Sequence, residues 1–315
     1  MLYAPDYYPQ FHCIASDCRH SCCVGWEIDI DADTRAAYAD VPGEFGQRLA
    51  DSIIDDADGA HFRLTPDERC PLLREDGLCR LILHLGEDAL CQICADHPRF
   101  RNFFSGRTEL GLGLCCEAAG KLILSAPAPM QLIAIADDGD CDPLTEDERE
   151  LLALRARALT CAGNPTLPIA ARMAEVLDCC GAVLPDSLLA WRPIYAACNR
   201  LDPLWDAELD ALDELPIPPG WDAPFSRLLG YFLYRHLPDA LTDGRTAERT
   251  AFAVLSTRII GARFAAGEQN LARLIELARL YSSEIEYDTD NVDALLDAIA
   301  AVQTKFEACE RKTLC

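Results

Sequence analysis

Thr145-Glu-Asp-Glu-Arg-Glu-Leu-Leu-Ala-Leu154 is the stretch on which the fold turns. Thr145 followed by Glu148 has the spacing of a capping box, in which a hydroxyl and a carboxylate satisfy the first free N–H groups of a helix. Leu151, Leu152 and Leu154 then supply an apolar face. From here the apolar residues recur at helical spacing almost to the end of the chain. The spacing predicts helices over 145–161, 167–180, 186–198, 223–236, 246–265, 268–281 and 290–307, with Pro216-Ile-Pro-Pro-Gly220 as a loop.

Upstream, the chain changes character near residue 125. Gly, Pro and Cys are dense there, with His12, His20, His61, His84 and His97. Trp26-Glu-Ile-Asp-Ile30 alternates apolar and acidic residues, which predicts a short strand, and His61-Phe-Arg-Leu64 is a second candidate. Arg80–Leu85 and Cys116–Leu124 read as short helices. Ser125-Ala-Pro-Ala-Pro129 interrupts the pattern, and Asp137–Pro143 reads as an acidic linker. The expected fold is mainly α, a helical bundle with an irregular, cysteine-rich, metal-binding N-terminal region containing short strands. The expected domains are 1–125, the metal-cluster region, and 144–315, the helical domain.

Ten of the 17 cysteines fall between residues 13 and 116, in ordered groups. Thiolates at short spacing, with Gly and Pro to let the backbone fold around an ion, are what soft-metal or iron–sulfur binding requires. Cys18, Cys22, Cys70, Cys79, Cys91 and Cys94 lead the candidate ligands, with Cys13, Cys23 and Cys115 in reserve. Adjacent side chains diverge, so of Cys22 and Cys23 one is expected to ligate while the other packs or serves a second centre. Zinc needs four thiolates, or three and an imidazole, whereas the excess of thiols favours iron–sulfur. Cys141, Cys161, Cys179, Cys180, Cys198, Cys309 and Cys315 lie on helical patterns without partners at ligand spacing and read as small packed hydrophobes.

The chain has 315 residues and a formal charge of -24, which repels phosphate and argues against nucleic acid as a partner. Met1–Gln10 has neither the basic start nor the apolar run of a secretory signal, and no run approaches a membrane span. A soluble cytoplasmic protein is therefore expected, in a reducing compartment where clustered thiols serve as ligands or redox groups. There is no Walker loop, no dinucleotide-binding glycine motif and no His-Glu-x-x-His. Cys18 and Cys22 fit the first two places of the radical S-adenosylmethionine motif, but Gly25 occupies the third.

Four segments together resemble the flagellin lysine N-methylase family. They are Phe11-x-Cys13 through Cys18, Cys22-Cys23, Gly25-Trp26 and Ile30-Asp31; Cys70-Pro-Leu-Leu through Cys79, Cys91, Cys94 and Pro98-Arg99; Cys115-Cys116-Glu117-Ala-Ala119; and Tyr281-Ser-Ser-Glu-Ile-Glu286 with Asn291. The chain departs from the family pattern at Cys116, in place of Pro, and at Tyr287, in place of His. The resemblance implies transfer of a methyl group from S-adenosylmethionine to lysine amines of flagellin, with a [4Fe-4S] cluster. Such a transfer needs a deprotonated amine, for which Glu117, Asp96, Tyr281 and Glu284 are candidate helpers. The alternative is a non-enzymatic zinc- or iron-binding protein-interaction module.

Overall fold

The computed structural model describes residues 1–57, 59–126, 129–136 and 142–313, without the side chains of 307–313. Cys141, Cys315, most of the acidic linker expected over 137–143, Pro127 and Ala128 of the expected interruption, and the Cys309 side chain lie outside the described residues. The strands are β1 (Leu2–Pro5), β2 (Asp29–Ile30), β3 (Ile53–Asp55), β4 (Ala60–Phe62), β5 (Arg99–Phe104), β6 (Arg107–Leu112) and β7 (Leu132–Ala136). Most of the rest is helical, so the protein is mainly α.

The chain divides into two units, but not at residue 125. One comprises Met1–Phe11, Arg101–Cys115 and Ala119–Cys315; the other comprises His12–Phe100 and Cys116–Ala118. The cysteine-rich unit is thus an insertion in the chain of the helical one, rather than the whole of 1–125.

In the helical unit the expected capping box forms. Thr145 Oγ1 accepts from the Glu148 backbone N–H at 3.2 Å, and Glu148 Oε2 accepts from Thr145 N–H at 2.7 Å, opening the helix Glu146–Ala162. The next helix is Ile169–Cys179, starting after Pro168, whose missing N–H costs nothing at a helix start. The helix expected over 186–198 shrinks to Arg192–Ala197, with Pro193 in its first turn. Asp222–His236 and Thr246–Ala265 are buried on nearly every side, from Phe225 to Tyr234 and from Arg249 to Thr257. They form the centre of the unit, and helices enclosed in this way lose the one-sided apolar stripe of a surface helix. β1 was not expected from its sequence. It pairs in parallel with β6, Tyr3 opposite Glu109, and antiparallel with β7, Ala4 opposite Ile133, in the sheet order β5-β6-β1-β7.

The cysteine-rich unit has the small sheet β2-β4-β3 and the short helices Ala32–Ala39, Gly43–Asp51, Arg80–Leu85 and Gln92–Asp96. The strand expected over Trp26–Ile30 contracts to β2. Its core contains Ile28, Ile30, Tyr38, Leu49, Phe62, Leu72 and Leu81, and Cys70 and Cys91 belong to it.

Candidate functional site

Backbone pairing decides which thiols meet in the cysteine-rich unit. Cys70 N–H donates to Cys23 O at 2.8 Å, beside a bridge between Val24 and Arg69, so the Cys22-Cys23 turn lies against the start of the second cysteine group. Leu73 bridges to Cys79, and Arg80 N–H donates to Leu72 O, folding Cys79 back onto Cys70. Asp31 caps the helix after it through Thr34 N–H and also accepts Gln92 N–H at 2.9 Å, which fixes the Cys91 turn. Tyr38 donates to Ala89 O at 2.7 Å on the other side of that turn.

Cys23, Cys79 and Cys94 thereby pack against the core that holds Cys70 and Cys91. The five sulfurs feel one another electrostatically: Cys23 acts on Cys70, Cys79 and Cys94, and Cys91 acts on Cys79 and Cys94. Burial pushes the Cys70 thiol up to about 12, while the N–H dipoles of Leu72 and Leu73 favour its thiolate. N–H groups of Leu81 and Ile82 do the same for Cys79, although neither closes a helix-capping bond. Cys94 shares its hydrogen bond with Cys91; the contact holds the Cys91 thiol down and the Cys94 thiol up.

The two adjacent cysteines differ in their surroundings. Contact with its neighbour holds the Cys22 thiol up and brings the Cys23 thiol down to about 7. Cys22 is in the field of Cys13 and Cys116. Cys23, held in reserve by its sequence, is the member placed with the second group. Cys18 donates to His20 O at 3.0 Å and lies 4.0 Å from Glu117. Cys115 belongs to the helical unit. His97 packs against Trp26 with ring centroids 6.1 Å apart, and burial lowers its imidazole to about 4.

The donor set suits a thiophilic centre in chemistry: five thiols share one core, and backbone N–H groups are aimed at two of them to favour the ligating form. Among the described residues, no three His, Cys, Asp or Glu side chains are closed around a common point at metal-binding geometry.

A second polar constellation lies in the helical unit and was not anticipated. The helix Leu271–Tyr281 continues into a π-helical turn, Ser282–Glu286, a distortion frequent at functional sites. Glu286, fully buried, accepts from Tyr231 Oη at 3.0 Å and meets His236 Nε2 at 2.6 Å. Arg235 Nε lies 3.3 Å from the same carboxylate, and its Nη1 donates to Tyr231 Oη at 3.0 Å. The Arg235 guanidinium also covers the ring of Tyr287, whose hydroxyl is bonded to Cys115. Gly113 makes room for this cluster: a Cβ there would stand 2.5 Å from Tyr287 Oη and 3.0 Å from Arg235 Nη1. Arg235-His236 ending an otherwise apolar run was the signal available in the sequence.

The candidate helpers have other partners. Glu117 accepts Arg19 N–H and Nε–H, and Asp96 accepts from Gln92. Glu284 accepts the backbone N–H groups of Leu201 and Asp202, and burial holds its carboxyl above the ordinary range. Tyr281 shares hydrogen bonds with Tyr195 and Ser256, 2.8 and 2.7 Å away. Asn291 bridges Asn199 O and Glu284 O.

Burial, more than its contact with Glu286, sets the His236 pKa, holding it below 6.5. The lowered value favours the neutral imidazole, and the Glu286 carboxylate, an acceptor only, is matched by an Nε2–H donor. Between the folded value and 6.5 the unfolded chain binds more protons, so this contribution to stability is full above pH 6.5 and is lost as the pH falls toward the folded value. The Glu286 carboxyl, depressed mainly by Arg235 against its burial, adds a separate loss only below about 4.5. Urea unfolding of wild type at pH 7 and at pH 5.5 should show a drop that His236→Gln reduces. An equal drop in the variant would remove His236 as its source.

No protein-family profile matches the chain. Two curated proteins named lysine-N-methylase, from Salmonella typhimurium (strain LT2) and Salmonella choleraesuis (strain SC-B67), are each 30% identical to it over 159 residues, 48% of this chain. The match spans only 40% of those two relatives. The flagellar biosynthetic protein FliU of Salmonella muenchen is 31% identical over 134 residues, 41% of this chain and 79% of FliU. A cysteine-rich unit inserted in a helical one is the architecture; the chain belongs to the family of FliU. No solved structure matches it. No helix among the described residues is long and apolar enough to cross a membrane.

Proposed function

We propose that this protein methylates lysine side chains of a protein substrate, flagellin, with S-adenosylmethionine as methyl donor and a cysteine-held [4Fe-4S] cluster as resident cofactor. What carries this reading is the gathering of Cys23, Cys70, Cys79, Cys91 and Cys94 on one core, in a chain whose relatives bear the name lysine-N-methylase. The resemblance of the two cysteine segments to flagellin lysine N-methylases supplies the cofactor and the substrate.

Four of the five thiols would hold the cluster, or three if one iron keeps an open position. When bound, such a centre supplies either a structural clamp or an iron able to bind an amine and a carboxylate. The core around Tyr38, Leu72 and Leu81 buries Cys70 and Cys91. Burial raises the Cys70 and Cys79 thiols, and the N–H groups of Leu72, Leu73, Leu81 and Ile82 offset part of that rise. In the transfer itself the ε-amine first loses its proton. Its lone pair then forms the N–C bond as the C–S pair returns to the sulfonium sulfur.

The test incubates anaerobically purified, reduced protein with flagellin and S-adenosylmethionine, and reads intact mass. A gain of one or more methyl groups on flagellin lysines is the expected result. No gain with several flagellins, from protein whose metal site is loaded, would instead indicate a metal-binding interaction module.

A further inference from the structure

The helical unit carries a cleft of about 470 Å³ whose lining segments are each tied in place. One segment is Pro216-Ile-Pro-Pro219, in which the prolines offer no N–H. Ile217 seats it on the helix Thr246–Ala265 at Gly261, where a Cβ would stand 2.5 Å from Ile217 Cγ1. A second is the first turns of the helix Ile169–Cys179, with Ala170 and Met173. Asp222 holds its start by accepting Ile169 N–H at 2.7 Å. The third runs from Asp186 to Leu188. Arg258 Nη1 donates to Pro185 O at 2.9 Å and its Nη2 to Asp186 O, while Glu214 accepts from Ser187 Oγ.

Met173, Leu188 and Ile217 make the lining apolar, yet three carboxylates border it, Asp186, Glu214 and Asp222, against one guanidinium. That guanidinium, Arg258, already serves two backbone carbonyls. The field at the cleft is thus negative, and the prolines add no donor for an anion. A lysine answers both features, because its four-carbon stem packs on apolar surface while its ammonium reaches a carboxylate. We propose that this cleft docks an extended segment of the protein substrate through a lysine side chain flanked by apolar residues. The volume is in the range of small-ligand pockets, larger than one side chain needs, so neighbours of the lysine enter with it. Leu215, lining the cleft and 38% exposed, gives those neighbours an apolar surface. That the segment belongs to the methyl-accepting protein rests on the function proposed above; the shape and charge of the cleft do not.

Met173 is one of three methionines, with Met1 and Met130, so its methyl resonance reports on the cleft. The test titrates full-length protein, labelled at the methionine methyls, with a capped peptide carrying one lysine among leucines and alanines. A saturable shift of Met173 is expected, with Met130 unmoved and the affinity falling as salt is added. Asp186→Asn, at an exposed position, should raise the dissociation constant about threefold, and its combination with Glu214→Gln about tenfold, as for exposed charge pairs. Ala170→Tyr fills the cleft from an exposed helix position and should abolish the shift while leaving the thermal midpoint in place.

No saturable shift of Met173, or an equal one from a peptide with glutamate in place of the lysine, would overturn the proposal. So would binding that survives in Ala170→Tyr. Displacement of the peptide by an equal concentration of cadaverine would assign the cleft to free amines instead and overturn it too. These readouts need neither metal nor methyl transfer, so the docking cleft and the proposed function can fail separately.

Discussion

Serine at Cys70, Cys79, Cys91 or Cys94 strips most of the metal from anaerobically purified protein, whereas serine at Cys198 leaves it in place: this is the result expected if the thiol core is a metal centre. Cys70 and Cys91 lie within the apolar core of the cysteine-rich unit, and the other two pack against it. A buried hydroxyl without a partner costs about 1–3 kcal/mol by itself, so stability alone would not separate a ligand from a packed thiol. Metal content does. For a true ligand the two losses come together, because metal-binding energy is also folding energy. Cys23 and Cys22 give the sharper comparison. Cys23→Ser should lose metal like the other four, and Cys22→Ser, whose thiol faces Cys13 and Cys116, should lose less. Full metal content in all four single variants at 70, 79, 91 and 94 would sink the assignment.

Glu286→Gln should be the most damaging single change in the helical unit, lowering its stability by about 3–5 kcal/mol, the range for breaking a buried ion pair. Its carboxylate is the shared acceptor for Tyr231 and His236 and the counter-charge to Arg235. A neutral amide retains one acceptor oxygen and leaves the guanidinium, 13% exposed, without that charge. Glu284→Gln removes a carboxylate that serves two backbone N–H groups, and its expected cost is smaller, about 1–3 kcal/mol. Denaturant unfolding followed by tryptophan fluorescence reads this unit, because Trp191, Trp205 and Trp221 belong to it. Equal losses in the two variants would mean that the charge of Glu286 is not what its partners require.

The helical half was legible because its information is local. A hydroxyl and a carboxylate three residues apart announce the helix at Thr145, and Asp222–His236 and Thr246–Ala265 end within a residue of their expected limits. β1 was not legible: Leu2–Pro5 has no alternation, and its partners lie near residues 108 and 134. Glu286 was passed over for Glu284 in the same segment, since what distinguishes them is a histidine 50 residues earlier. The choice between Cys22 and Cys23 depends on one backbone bond, Cys70 N–H to Cys23 O, which spacing does not encode.

The chain leaves β1 and returns to β6, its parallel neighbour in the sheet, only after passing through His12–Phe100, nearly all of the cysteine-rich unit. While that unit is folded, the excursion is a stiff, ordered tether. If its thiol core came apart, the same stretch would become a flexible loop of roughly a hundred residues, whose closure costs about 4 kcal/mol on the scaling (3/2)RT ln n. That penalty falls on the pairing of Tyr3 with Glu109, which holds the two ends together. Disorder in the insertion thus acts as an entropic spring pulling on the first strand of the helical unit, without any contact between the two units being required.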